Sequence, residues 1–240
     1  MKTLLSIGAA LAAAVVAAAL VFAAAPTPDV VNRYIPMAEA FAAGDWEDAF
    51  HPRFGVLFPA VTGCFVWLGC SGFVACQLAG LLFFLAAAPP LYGIFRTFCE
   101  RRTALLGVVL YLFCSHLHRV FYAGLRENVK TCAMALLVWG ILALCRDARS
   151  WKAALAAGAG GAMLASVRAE GFAFALCALA GLIGYDLWRR RFLTGRSAAA
   201  LLLFCVLMTP QFYLNYRWTG RPVPFSGYLR AIPAGEARHD

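Results

Sequence analysis

Apolar residues run along this chain in long blocks, not in short alternating strings. The blocks lie at about 4–25, 54–70, 72–95, 103–118, 128–145, 153–168, 170–188 and 197–214, with charged turns between most of them. A helix rises about 1.5 Å per residue, so uninterrupted runs of roughly 16–25 apolar residues predict helices that cross a hydrocarbon core of about 30 Å. The strands of a membrane barrel would instead be about ten residues long and alternate in polarity, and that pattern is missing here. The expected fold is all-α: a polytopic membrane protein, residues 1–240 forming one membrane domain.

One interval breaks the pattern. From Pro28 to Pro59 the chain is neither strongly apolar nor a short basic turn, and it carries Asp29, Glu39, Asp45, Glu47 and Asp48, five of the twelve acidic residues. Tyr34, Met37, Ala38, Phe41 and Ala42 recur at helical spacing, which predicts an amphipathic helix ending at Gly44. Asp29 precedes it and is placed to cap it. Trp46 suits a membrane–water boundary, and Glu47 and Asp48 read as solvated loop charges.

Charge decides how the blocks are threaded. Three basic turns, Arg96/Arg101/Arg102, Arg146/Arg149/Lys152 and Arg189/Arg190/Arg191/Arg196, are each separated from the next by two apolar blocks and therefore share one side. The positive-inside rule makes that side cytoplasmic, together with Lys2. For the parity to hold, one of the blocks 54–70 and 72–95 must not cross. The shorter one, with Gly55, Pro59, Gly63 and Gly69, is expected to lie along the outer leaflet. Seven spans follow: 4–25, then six between 72 and 214. The loop 26–71 and the tail 215–240 lie outside, the N-terminus is cytoplasmic and the C-terminus is external. The first block reads as an uncleaved signal anchor, not as a signal peptide cleaved after Ala23-Ala24-Ala25. Pro89-Pro90 should kink the second span. Gly158, Gly160 and Gly161 should permit close helix approach.

Composition agrees. The chain has 240 residues, 62% of them apolar, and a mean hydropathy of +0.74, well above a soluble domain at roughly 45–50% apolar. The net charge of +9 does not indicate nucleic acid, because the basic residues sit in short turns between apolar blocks. Nine cysteines form no CxxC pair and lie mostly inside apolar blocks, where a thiol acts as a small hydrophobe. His116 and His118 lack further ligand-type neighbours and read as residues at the membrane interface.

Several ionisable residues stand at the expected outer boundary. Asp29 follows the first block almost at once. A carboxylate in partly desolvated surroundings there would serve as a general base, since burial raises its pKa. Arg53, after His51-Pro52, either holds a phosphate or anchors the chain at the head groups. Arg126, Glu127 and Lys130 open an otherwise apolar block, and Arg168 and Glu170 stand between two blocks with almost no loop. Charges at such depth are costly and are commonly paired or functional. Arg168 and Glu170 are placed to satisfy each other, and phosphate binding by Arg168 or Arg126 is the alternative.

The ordered set of these elements resembles the N-terminal half of a C-class glycosyltransferase, similar to the bacterial protein O-mannosyltransferase and lipid A aminoarabinose transferase family. The resemblance rests on Asp29, Tyr34, the A-x-x-F-x-x-G-D-W run from Ala38 to Trp46, His51-Pro52, Glu127, the R-x-E-G step at Arg168–Gly171, Pro210 closing its span, and Asn215, Gly220, Pro222 and Pro224. Val30 stands where that pattern carries a second acidic residue. The resemblance implies a sugar carried on a polyprenyl phosphate, transferred with inversion to a lipid, glycan or protein acceptor at the outer face of a bacterial inner membrane. Asp29 is then the base. Tyr34, His51, Arg53, Arg126, Glu127, Lys130, Arg168 and Glu170 are binding candidates for substrate or lipid phosphate. Membrane lipids are the surroundings, and a partner subunit supplying a C-terminal half is expected. No cofactor is indicated, and a divalent metal ion is left open. The competing readings are a non-catalytic assembly or regulatory scaffold and a transporter of lipid-linked sugar. The latter is disfavoured because the Pro89-Pro90 break has no counterpart in a second half.

Overall fold

Long apolar helices with interleaved glycine and alanine pack here into two adjoining cores, joined mainly by one helix. The structure, a computed structural model, describes residues 25–51, 54–114, 119–120 and 123–221, and among them there is no strand. A wide helical turn at Val30–Tyr34 leads into α1 (Ile35–Ala43), followed by the single-turn α2 (Trp46–Ala49) and by α3 (Leu57–Trp67). α4 (Gly72–Ala86) and α5 (Ala88–Phe98) follow, then α6 (Arg101–Leu112) and α7 (Glu127–Arg146). The chain continues through α8 (Trp151–Ala165), α9 (Ala169–Tyr185) with a wide turn at Asp186–Arg190, and α10 (Gly195–Thr219).

Four helical stretches among the described residues are long and apolar enough to cross a membrane: Gly72–Phe98, Glu127–Arg146, Ala169–Arg190 and Gly195–Thr219. α3, with 11 residues, reaches only about 16 Å at 1.5 Å per residue. α6 and α8 have 12 and 15 residues and are shorter than these four, so seven crossings are not found among the described residues. The expected first span, 4–25, lies outside them except for Ala25, as do His116, His118, Pro52, Arg53, Pro222 and Pro224.

The outward surface is apolar. Leu106 and Leu110 on α6 are 56% and 64% exposed, and Leu202 and Val206 on α10 are 65% and 57% exposed. A soluble monomer rarely shows such extended apolar faces. Together with the four long helices this points to a membrane protein.

α7 joins the two cores. Its Val129 and Cys132 pack with Tyr34, Phe58, Cys76, Ala79 and Phe83. Its Ala133, Leu137 and Leu144 pack with residues of α8, α9 and α10. Small residues set the spacing on that second side. A Cβ added at Gly140 would collide with the Ala157 backbone, and one at Gly160 would stand 2.5 Å from Leu137 N. Gly158 meets α10 in the same way, 2.5 Å from Ala200 O. The expected close approach along the Gly158–Gly161 face is therefore present, and it explains why α8 is enclosed by neighbours although it is short.

Several local expectations are corrected. Asp29 does not cap. The helix starts earlier, with Thr27 O accepting from Val30 N at 3.0 Å and Val31 N at 3.1 Å, which leaves Asp29 inside the first turn with helical dihedrals. Glu47 and Asp48 sit on α2 rather than in a loop, and Asp45 caps them, accepting from Glu47 N at 3.1 Å and Asp48 N at 3.2 Å. Pro210 does not end its helix. α10 continues to Thr219 and stops at Gly220, whose φ of 67° is left-handed. A proline inside a helix removes one hydrogen bond, but the residues beyond it stay tied to the rest of the chain: Gln211 and Asn215 are buried, and Gln211 Oε1 accepts from Val56 N. Gly44 ends α1 as expected, with φ 79°.

The three basic turns share one end of the bundle. The Arg146 guanidinium donates to Thr97 O, Arg190 donates to Leu144 O and Cys145 O at 2.9 and 3.1 Å, and Arg196 lies 4.2 Å from the Trp151 ring centroid. The loop between α2 and α3, the α8–α9 turn and the start of α7 gather at the opposite end.

Candidate functional site

The opposite end is built around residues 54–56, which thread between two other parts of the chain. Gly55 is pressed against the α8–α9 turn so closely that a Cβ would overlap the Ser166 carbonyl. On the other side Val56 N donates 2.9 Å to Oε1 of the buried Gln211 on α10. Phe54 N donates 2.9 Å to His51 O. These contacts fix the Phe54 ring, which meets Tyr34 edge-on at 6.3 Å, while Phe58 closes the other side of Tyr34 at 5.2 Å. Gln211→Leu would leave the Val56 amide without its acceptor. It is expected to cost about 1–3 kcal/mol, read as an earlier unfolding midpoint when the purified chain is titrated with SDS. An unchanged midpoint would show that the amide is satisfied some other way.

Charged side chains surround this aromatic floor. Arg33 Nη1 lies 3.1 Å from Asp29 Oδ1, and its guanidinium lies 5.3 Å from the Phe54 centroid. Arg126 stands over both rings, 5.7 Å from Tyr34 and 5.5 Å from Phe54. Glu170 is shared by Arg168 at 3.2 Å and Lys130 at 3.9 Å, so the expected Arg168–Glu170 pair is present with a third member. Burial pushes the Tyr34 phenol above its ordinary value. Arg126 and Arg168 pull it back, and Glu127 and Asp29 push it up. All four charges therefore act on one phenol that stays protonated at neutral pH.

Seven of the nine residues singled out from the sequence thus meet at one place: Asp29, Tyr34, Arg126, Glu127, Lys130, Arg168 and Glu170. His51 stands at the margin, 5.5 Å from Phe54 and 6.1 Å from Trp218 between ring centroids. Arg53 is outside the described residues. Asp29 differs from expectation in one respect: its side chain is 59% exposed and held by Arg33, not desolvated. Four participants were not singled out. Arg33 stands four residues after Asp29, the spacing of a helical ion pair, and Gln211 is a polar side chain within an apolar span, so both carried a signal. Phe54 and Trp218 carried none, because their roles depend on contacts distant in sequence.

The arrangement suits an anion. Among the described residues Asp29 and Glu170 are tied to cations, whereas Arg126 forms no ion pair and rests on two ring faces. Cation–π contact orients a guanidinium and leaves its N–H edge free for bidentate bonds to a phosphate. No group of three or more His, Cys, Asp or Glu side chains is placed to hold a metal ion among the described residues. No family model, no curated protein and no solved structure matches this chain.

Proposed function

We propose that this chain is a membrane glycosyltransferase, or the N-terminal part of one, that transfers a sugar from a polyprenyl phosphate to an acceptor hydroxyl at the outer face of a bacterial inner membrane. The single observation that carries this reading is Arg126, a cation without a carboxylate partner among the described residues, seated on Tyr34 and Phe54 beside the Lys130–Glu170–Arg168 cluster. In this reading Arg126, Lys130 and Arg168 hold the lipid phosphate, and the neutral Tyr34 hydroxyl donates to it. Asp29, released from Arg33 as the phosphate draws that guanidinium over, takes the proton from the acceptor hydroxyl. The acceptor oxygen attacks the anomeric carbon, and the carbon–oxygen bond to phosphate breaks with its electron pair leaving on the polyprenyl phosphate. Fixed cations aimed at the developing charge supply the transition-state stabilisation.

In the same proposal the chain crosses seven times, with the basic-turn end cytoplasmic and the 26–71 loop and the C-terminus outside. α3 then lies along the outer leaflet, as the charge parity of the turns requires. The gathering of the three basic turns at one end supports this orientation. A non-catalytic scaffold is the second reading, and the pairing of Asp29 with Arg33 favours it.

Two variants separate these readings. Arg126→Gln should weaken binding of polyprenyl phosphate to the purified chain by roughly 10- to 100-fold, the worth of hydrogen bonds to a charged group. Asp29→Asn should leave that binding intact and abolish transfer from a polyprenyl-phosphate sugar. Binding that is indifferent to Arg126 would remove the phosphate site, and transfer at the wild-type rate by Asp29→Asn would remove Asp29 as base.

A further inference from the structure

The basic-turn end carries a feature that sugar transfer does not use. Residues 187–193 read Leu-Trp-Arg-Arg-Arg-Phe-Leu, two apolar residues on either side of three arginines. The central arginine points inward. Arg190 Nη1 lies 2.8 Å from Oδ1 of the fully buried Asp186, and Nη2 donates to Leu144 O and Cys145 O. The other carboxylate oxygen of Asp186 accepts from Thr194 N at 3.1 Å and Thr194 Oγ1 at 2.9 Å. This buried staple closes the turn from both ends. Arg191 adopts a left-handed backbone, φ 58°, which reverses the chain directly after the staple.

Arg189 and Arg191 are consequently left on the outside of a fixed turn, both exposed, and neither forms an ion pair among the described residues. The four flanking apolar side chains are exposed as well, Trp188 at 80% and Phe192 at 62%. The surrounding field has one sign: the three turns hold ten basic and three acidic residues, and so carry seven of the nine net positive charges. Exposed Trp and Phe beside arginine suit the level of the lipid head groups, where the rings enter the interface and guanidinium groups meet phosphates in bidentate pairs.

We propose that Leu187–Leu193 is a clamp for anionic phospholipid head groups: Arg189 and Arg191 take the lipid phosphates, Trp188 and Phe192 bury in the acyl boundary, and the Asp186–Arg190–Thr194 staple holds the turn in place. The clamp rests on the membrane character of the chain and not on sugar transfer.

The test uses the full chain in nanodiscs of phosphatidylcholine alone or mixed with phosphatidylglycerol, with retained lipid counted by native mass spectrometry. Arg189→Gln/Arg191→Gln is expected to lower the apparent affinity for phosphatidylglycerol roughly thirtyfold, from two arginines each acting at an anionic surface. Arg101→Gln/Arg102→Gln removes the same charge from a neighbouring turn and should lower it only slightly. Equal losses in the two variants would reduce the clamp to a diffuse field and overturn it. Inorganic phosphate should not displace the retained lipid, and displacement would assign the arginines to a free anion instead. Should the double variant fail to assemble, the wild-type chain decides. Trp188 fluorescence, isolated by difference against Trp188→Phe, should be quenched more by brominated phosphatidylglycerol than by brominated phosphatidylcholine, and equal quenching would refute the clamp.

Discussion

Gly55→Ala is expected to dismantle the loop end of the bundle. The added methyl carbon would overlap the Ser166 carbonyl oxygen and stand 3.0 Å from Val167 N. Both are backbone atoms, so no flexible side chain can turn aside to make room. Nor can residues 54–56 retreat freely, because Gln211 holds Val56 N from the far side. Overpacking a well-filled site commonly costs about 1–3 kcal/mol, and a collision with fixed backbone belongs to the upper tail of single substitutions, about 4 kcal/mol or more. The check is an SDS titration of the purified chain, with Gly181→Ala as control, since a Cβ there meets nothing within 4 Å and should shift the midpoint by no more than about 0.5 kcal/mol. Should Gly55→Ala unfold with the wild-type midpoint, residues 54–56 are not seated against the α8–α9 turn. The functional consequence follows from Phe54. Displaced, it no longer supports Arg126, so the phosphate binding proposed for Arg126 should fall even in whatever fraction remains folded.

Much of this end is legible in the sequence. Asp29, Arg126, Lys130, Arg168 and Glu170 stand out because charges at the margins of apolar blocks need partners or a task, and Tyr34 stands out only through the family resemblance. Side-chain chemistry and position in the block carry that information. The shared basic end was legible too, because parity counts crossings and needs no packing. What escaped depended on neighbours far along the chain. Periodicity does not show which apolar helix its fellows enclose, so α8, seated through Gly140, Gly158 and Gly160, reads in the sequence like any other apolar block. Asp29 is a good capping residue type, yet Thr27 O accepts from the first amides of the helix and Asp29 is drawn to Arg33 instead. Pro210 reads as a terminus, but the helix runs on to Thr219, with Gln211 held to Val56 across the chain.

The same contrast between local signal and distant partner sets the expected effect of Asp186→Ala. In sequence Asp186 is one acid before a run of arginines at the end of an apolar block. In the structure it is fully buried and uses both oxygens, one for Arg190 and the other for the Thr194 amide and hydroxyl. Thr194 in turn caps α10, its Oγ1 accepting from Ser197 N at 3.2 Å and bonding Ser197 Oγ at 2.9 Å. Removing the carboxylate strands a largely buried guanidinium and frees the cap of the longest described helix. Breaking a buried ion pair by deleting one member costs about 3–5 kcal/mol. Asp186→Asn should cost less, because one amide oxygen can still accept from Thr194 while the amide nitrogen faces Arg190 as a second donor. Replacing both partners, Asp186→Leu with Arg190→Leu, should recover part of the loss, since no charge is then left uncompensated. The order of SDS midpoints is therefore wild type, then the amide variant, then alanine, with the double variant above alanine. An alanine variant that unfolds beside the wild type would show that the turn is held by the bilayer and not by the staple.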